Sequence, residues 1–107
     1  MKAAKLCLVL LTSHFALSAQ KVEVVEHKTE KKVDVWINEK RFTSFLFPDT
    51  IEKPFLYPIL TASEIDVTRG FPLNPKPNDP TDHPHHIGIW FNYESVNGLD
   101  FWNNSYA

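Results

Sequence analysis

Cysteine is almost absent from this chain of 107 residues, which has a single one, Cys7. One cysteine cannot form an intramolecular disulfide. Because Cys7 lies in an apolar run near the N-terminus, residues 20–107 contain no thiol at all. The composition therefore excludes a disulfide-stabilised scaffold, thiol catalysis and zinc–thiolate centres from that part of the chain.

Positive charge and long apolar runs are also scarce. Eleven Lys and Arg stand against thirteen Asp and Glu, which gives a formal net charge of −2. A chain without a basic excess lacks the electrostatic footprint of a nucleic-acid-binding protein, so no nucleic-acid partner is expected. After residue 19, no apolar run approaches the roughly 20 residues that a membrane-spanning helix needs. No membrane span is expected once the leader is removed.

The first 19 residues have the three regions of a secretory signal peptide. Lys2 and Lys5 form the charged region, residues 6–11 the apolar region, and residues 15–19 a zone that ends in small side chains. The pattern predicts a signal-peptide helix over residues 1–19 and an exported protein, periplasmic or extracellular. A buried first helix is the alternative. The mature chain would then cover residues 20–107.

Apolar and polar residues alternate in the next part of the chain, which is the period of half-buried strands. Strands are predicted at residues 21–27, 33–37 and 41–47, and the short polar breaks between them predict a series of antiparallel hairpins. Prolines 48, 54 and 58 confine the following pieces to sheet edges or bends. Residues 57–60 and 65–68 are candidates for further short strands.

Residues 87–93 have the strongest strand pattern of the chain. Ile87, Ile89, Phe91 and Tyr93 fall on one face of such a strand. A turn at residues 97–98 and a new strand from residue 101 are predicted to follow. No long amphipathic helix occurs after the leader. The predicted fold is all-β, an incomplete antiparallel β-sandwich-like domain preceded by the signal-peptide helix.

Three of the five histidines lie within four positions, directly after Asp82. Imidazole and carboxylate groups bind divalent transition metals and also act as acids and bases. In an extended segment His83 and His85 point to one side and His86 to the other. We therefore expect His86 and one of the earlier pair to face a common pocket across a bend at Pro84. Three roles stay open: a metal site on His83, His85 and His86, acid–base catalysis by His85, His86 and Asp82, or backbone hydrogen bonding in a Pro-rich loop.

Aromatic, amide and charged side chains near the histidines suggest a ligand site. Trp90 stands beside Asn92, and Asp100 stands close to Trp102. Such sets bind sugars or polyols, although aromatic residues also form cores. We predict a small-molecule, saccharide-like ligand, contacted by Arg69, Trp90, Asn92 and Asp100.

Residues 54–107 carry motifs that resemble a family of exported bacterial proteins. The motifs are Pro54-Phe55-Leu56-Tyr57-Pro58, Thr68-Arg69-Gly70-Phe71-Pro72, Asp82-His83-Pro84-His85-His86, Gly88-Ile89-Trp90-Phe91 and Val96-Asn97-Gly98-Leu99-Asp100-Phe101-Trp102. They are similar to the PmoA-like family, labelled "methane oxygenase PmoA", whose activity is uncharacterised. The resemblance implies a longer β-rich domain, of which residues 20–107 would be the N-terminal part.

Three functions follow from these patterns. The first is binding or processing of a carbohydrate-like ligand through the His-rich site. The second, which the family label implies, is a metal-dependent oxidoreductase that holds a divalent transition metal. The third is a non-catalytic structural module or an inactive fragment.

Overall fold

One antiparallel sheet forms the body of the protein. The computed structural model describes residues 19–103. Its strands lie side by side in chain order, β1 to β4. They are β1 (Val22–His27), β2 (Lys32–Ile37), β3 (Lys40–Leu46) and β4 (Phe55–Leu56), with a short 3₁₀ helix at Lys28–Glu30 between the first two. The predicted all-β antiparallel class is confirmed by this single four-stranded sheet.

The leader predicted at residues 1–19 lies outside the described residues, except for its last position. Within residues 19–103, no helix has the length and apolar character needed to cross a membrane.

A tight turn sets the register of β2 against β3. Asn38 and Glu39 join β2 to β3 with φ angles of 50° and 65°. A two-residue turn with both φ angles positive matches the twist of the flanking strands. Asn38 also exchanges hydrogen bonds with the backbone of Lys21, with N–O distances of 2.9 Å in both directions. The hairpin end therefore holds the start of β1 in place.

A β-bulge interrupts the pairing of β2 with β3. Val35 pairs with Thr43, but the next residue, Trp36, pairs with Arg41. Phe42 is thus the extra residue on β3. Bulges bend a strand and redirect the neighbouring side chains, and this one alters the direction of β3 at Arg41 and Phe42.

The apolar core lies between the sheet and the loop that carries the histidines. Ile51, Phe55 and Ile87 are 8%, 2% and 1% exposed. Half-buried Leu46, Tyr57 and Trp90 pack around them. Leu56 and Ile89 exchange two backbone hydrogen bonds, of 2.8 and 3.0 Å, so the loop is fixed directly to β4.

The prediction of a strand over residues 87–93 is wrong. Only Ile89 pairs with another strand, at Leu56, and Phe91 is 98% exposed. Gly88 has a φ of 53°, which breaks the extended path directly after Ile87. Because β4 is only two residues long, residues 87–93 have no strand of comparable length to pair with.

Residues 57–60 and 65–68 also form no named strand. They have a single bridge, between Leu60 and Asp66, and a few separate backbone hydrogen bonds, such as the one from the N–H of Leu60 to the carbonyl of Phe42. The strand predicted to start at residue 101 is absent from the described residues, which bend at positions 102–103. Alternation gives a strand only where a neighbouring strand supplies hydrogen-bond partners.

A buried carboxylate links the first three strands. Asp34 on β2 accepts a hydrogen bond from the hydroxyl of Ser44, and its Oδ2 lies 3.1 Å from Nε2 of His27. Asp34 stands between the hydroxyl and the imidazole. A nucleophilic triad needs the imidazole in the middle, so this cluster is structural. Burial raises the pKa of Asp34, but the Ser44 hydrogen bond and the charges of Lys32 and His27 outweigh burial and leave the pKa below its ordinary value.

The Asp34→Asn variant is expected to lose about 1–3 kcal/mol of unfolding free energy at pH 7, because a buried hydrogen-bonded charge is removed. Since the folded-state pKa is lowered, this contribution is present above about pH 4 and is lost as the pH falls further. Denaturant unfolding from pH 7 to pH 2 measures the difference. The matched variant Asp49→Asn, at an exposed carboxylate, should change stability by less than about 0.5 kcal/mol. A difference between Asp34→Asn and wild type that stays constant below pH 4 would contradict the assignment.

Candidate functional site

A tight turn brings the three neighbouring histidines together. The backbone N–H of His86 donates to the carbonyl of His83 at 2.9 Å, and His83 has a φ of 47°. One possible ligand nitrogen from each of His83, His85 and His86 lies within 4.8 Å of the other two. We call these three side chains the histidine cluster. The sequence predicts that His86 and one of the earlier pair meet across a bend at Pro84, and in the structure the turn brings all three rings together.

The rings of the histidine cluster are in mutual contact. His83 and His86 stack with 4.8 Å between ring centroids and 12° between planes. His85 meets both rings edge-on, at centroid distances of 5.4 and 4.3 Å. His83 is exposed, whereas His85 and His86 are half-buried. The cluster therefore has one face open to solvent.

Arg69 fixes the backbone of this turn. Its guanidinium donates to the carbonyl oxygens of Asp82 at 3.1 Å, His83 at 2.9 Å and His86 at 3.1 Å. The same group lies over the ring of Phe71, 5.5 Å from its centroid. Arg69 was predicted to contact a ligand. In the structure its donors are directed at the loop, so it acts as a support for the histidine cluster.

Asp79 anchors the start of the Pro-rich loop. Its Oδ2 accepts hydrogen bonds from the backbone N–H groups of Gly70, Phe71 and Lys76, at 3.0, 3.1 and 2.8 Å. These bonds lower the pKa of Asp79. Gly70 is required because a Cβ there would lie 2.0 Å from the carbonyl oxygen of Asn74. Asp79 and Gly70 together hold the loop that leads to the histidines.

A buried lysine lies beneath the aromatic residues next to the cluster. The Lys53 side chain is 1% exposed, and its Nζ donates to the carbonyl of Trp102 at 2.7 Å. Nζ also lies 4.9 Å from the ring centroid of Trp90. Trp90 in turn packs against His86, at 5.0 Å, and against Trp102, at 5.8 Å. This role of Lys53 was not predictable from the sequence, because a lysine between Glu52 and Pro54 has the pattern of a surface residue.

Burial and nearby charges lower the pKa of two of the histidines. Burial lowers the pKa of His85, and the charge of Lys53 lowers it further. Burial also lowers the pKa of His86, followed by the neighbouring imidazoles of His85 and His83. Neutral imidazole is the form that binds metal ions. The lowered pKa values of His85 and His86 favour this neutral form.

The other predicted site residues lie around the cluster. Asp82 is exposed, with Oδ2 3.5 Å from Nε2 of His83. The Asp100 carboxylate accepts hydrogen bonds from the backbone of Trp102 and from both nitrogens of Asn103, and these bonds lower its pKa. Asp100 therefore shapes the chain locally.

Asn92 belongs to a separate open cavity. The cavity has a volume of about 440 Å³ and is lined by Asn92, Tyr93, Glu94, Trp102 and Asn103. The side-chain nitrogens of Asn92 and Trp90 are buried and have no hydrogen-bond partner within residues 19–103. Trp102 borders this cavity and also contacts Trp90, so it connects the cavity to the histidine cluster.

Residues 32–107 match the model of a family of unknown function, DUF6807. The chain belongs to the DUF6807 family. The matched span begins at the first residue of β2 and includes the histidine cluster, Arg69 and Lys53. No match was found among curated proteins or among solved structures. The DUF6807 match carries no activity and no link to methane oxygenases, so the PmoA-like resemblance stays a prediction.

Proposed function

We propose that the histidine cluster of this DUF6807 protein binds a divalent transition metal ion. The convergence of three imidazoles within 4.8 Å supports the proposal. Imidazole nitrogens bind zinc at about 2.0–2.1 Å, which places two of them roughly 3.4 Å apart in a tetrahedral site. The widest separation between ligand nitrogens in the cluster, 4.8 Å, therefore has to shrink by about 1.4 Å on binding. Rotation of the exposed His83 ring supplies this movement.

A three-histidine site leaves a coordination position open. In zinc enzymes with three protein ligands, that position holds water or substrate. Asp82 is the nearest carboxylate to the cluster, and it either completes the ligand set or orients His83. Zinc would supply Lewis-acid chemistry in such a site, and iron or copper would supply the oxidoreductase chemistry of the alternative hypothesis.

The metal content of the purified protein tests this proposal. The full chain is loaded with excess Zn²⁺, desalted, and analysed for metal and protein by mass spectrometry and amino-acid analysis. The proposal predicts about one equivalent of zinc at pH 7. Less than about a tenth of an equivalent in folded protein would contradict it.

Removal of Arg69 is expected to weaken zinc binding about 10- to 100-fold in an Arg69→Met variant, because residues that orient metal ligands have effects of this size. Arg69 holds three carbonyls of the ligand turn, so its loss lets the three imidazoles separate. Competition with a chromophoric chelator measures the affinity. The control is Arg41→Met, which removes the other arginine of the chain and should bind zinc like wild type. Equal affinity in both variants would contradict the positioning role.

A carbohydrate-like ligand is the second function that we propose. The open cavity next to Trp102 combines aromatic rings with amide and carboxylate groups, and the unpartnered Asn92 nitrogen needs an acceptor. Sugar hydroxyls supply such acceptors, and sugar rings pack on aromatic faces. Trp102 of this cavity contacts Trp90, and Trp90 contacts His86 of the histidine cluster.

Titration calorimetry with cellobiose and xylobiose tests this second function. We expect saturable binding in the millimolar range or tighter that is at least about 10-fold weaker in Asn92→Ala and Trp102→Ala variants. Phe91→Ala, at a fully exposed aromatic outside the cavity, is the control. Equal heats in wild type and variants, or no saturable heat for either disaccharide, would support the third hypothesis, a non-catalytic structural module.

We also propose that the protein is exported to the periplasm or the medium. The charged, apolar and small-residue regions of residues 1–19 support this. The intact mass of protein recovered outside the cytoplasm should correspond to a chain that starts at residue 19 or 20. A full-length mass with cytoplasmic recovery would contradict it.

A further inference from the structure

A second cavity lies at the β2–β3 hairpin and shares no residue with the histidine cluster. Its volume is about 520 Å³, within the range of small-molecule sites. Its lining residues are Gln20, Ile37, Asn38, Lys40, Arg41, Phe42, Leu60, Thr61 and Ala62. We call it the bulge cavity because Phe42 is the extra residue of the β3 bulge. None of these lining residues is acidic.

The walls of the bulge cavity are fixed by hydrogen bonds. Nζ of Lys40 donates to the carbonyl of Ala62 at 2.7 Å, and the N–H of Leu60 donates to the carbonyl of Phe42 at 2.8 Å. These two bonds hold the segment at residues 60–62 against β3. The cavity is therefore formed before any ligand enters it.

Arg41 is the one arginine among the residues that line this cavity. Within residues 19–103 it makes no hydrogen bond and no ion pair. Its charge acts on Asp34, but the oxygens of Asp34 are already held by Ser44, His27 and Lys32. Arg41 thus brings a fork of N–H donors, without a hydrogen-bond partner among residues 19–103, to a cavity that Ile37, Phe42 and Leu60 also line.

We propose that the bulge cavity binds a small organic carboxylate with an apolar body. The planar guanidinium of Arg41 matches a carboxylate with two parallel hydrogen bonds. Ile37, Phe42 and Leu60 pack against the apolar part of the ligand. Lys40, although bonded to the carbonyl of Ala62, adds positive charge to the cavity lining. Phosphate-like ions without an apolar body would leave most of the lining uncovered.

Titration with phenylacetate tests this proposal, with uncharged phenylacetamide as the paired ligand. We expect saturable phenylacetate binding below about 10 mM, and at least 10-fold weaker binding of phenylacetamide. Amide chemical shifts should change at Phe42 and Leu60. Arg41→Gln should weaken phenylacetate binding at least about 10-fold, and Arg41→Lys should do so less, because lysine keeps the charge but loses the fork.

The controls separate this proposal from the metal site. The His83/His85/His86 triple-alanine variant and Arg69→Met should bind phenylacetate like wild type. Thermal unfolding of each Arg41 variant confirms that the sheet is intact, and Phe42→Ala provides an independent test of the apolar wall. Absence of saturable binding to wild type, equal affinity in Arg41→Gln, or equal affinity for phenylacetamide would overturn the proposal.

Discussion

The His86→Ala variant is expected to bind zinc at least about 100-fold more weakly than wild type, more than the 10- to 100-fold loss typical of a residue that only orients a ligand. The His86 ring contacts both other rings of the cluster and also packs against Trp90. Two imidazoles without the third cannot provide the three protein ligands of an open zinc site. Competition with a chromophoric chelator at pH 7 measures the loss.

The control for His86→Ala is His27→Gln, which removes a histidine far along the chain, on β1. This variant should keep wild-type zinc affinity, although its contact with Asp34 is changed. The triple-alanine variant should retain no specific zinc site. Wild-type zinc affinity in His86→Ala, or an equal loss of affinity in His27→Gln, would contradict the assignment of the histidine cluster as the zinc site.

The Gly88→Ala variant is expected to lose about 3 kcal/mol or more of unfolding free energy, since overpacking and a strained backbone both act there. A Cβ at Gly88 would lie 2.2 Å from the carbonyl oxygen of Leu56, and the φ of 53° is unfavourable for alanine. Leu56 pairs with Ile89, so relief of the clash would detach the histidine loop from β4. Denaturant unfolding measures the stability, and zinc affinity should fall with it.

Gly98→Ala is the matched control for this prediction. Gly98 also has a positive φ, of 81°, but a Cβ there would meet no atom within 4 Å. Its cost is therefore limited to the backbone term, about 1 kcal/mol. If both variants lose the same free energy, the close contact of Gly88 with β4 contributes nothing to stability.

The first three strands were predictable because their signals are local. Alternation of valine with charged residues and the Asn38 turn define each hairpin without help from distant residues. Of the six ends of these strands, four differ from the predicted position by one residue and two agree with it. Such local consistency is what a sequence can encode within a short window.

The arrangement beyond β4 could not be predicted from alternation. Residues 87–93 have a strong strand pattern, yet Gly88 adopts a left-handed conformation and Phe91 is exposed. Whether an alternating segment forms a strand depends on a partner strand, which is a non-local property.

The residues of the histidine cluster were identifiable from the sequence, but their geometry was not. The turn between His83 and His86 depends on Arg69, which is 14 residues away from His83 in the chain. The burial of Lys53 was not predictable, because it depends on contact with Trp90 and with the carbonyl of Trp102, 49 residues away. Contacts of this kind leave no periodic pattern.

X-ray absorption spectroscopy of the zinc-loaded protein tests the central claim most directly, because it counts and identifies the atoms bound to the metal. If His83, His85 and His86 bind the metal, the spectrum will show three imidazole nitrogens at about 2.0 Å from zinc, with the multiple-scattering features of imidazole rings. The same spectrum from the triple-alanine variant should show no imidazole. A zinc shell made only of oxygen atoms in wild type, or an unchanged imidazole signature in the variant, would contradict the assignment of His83, His85 and His86 as metal ligands.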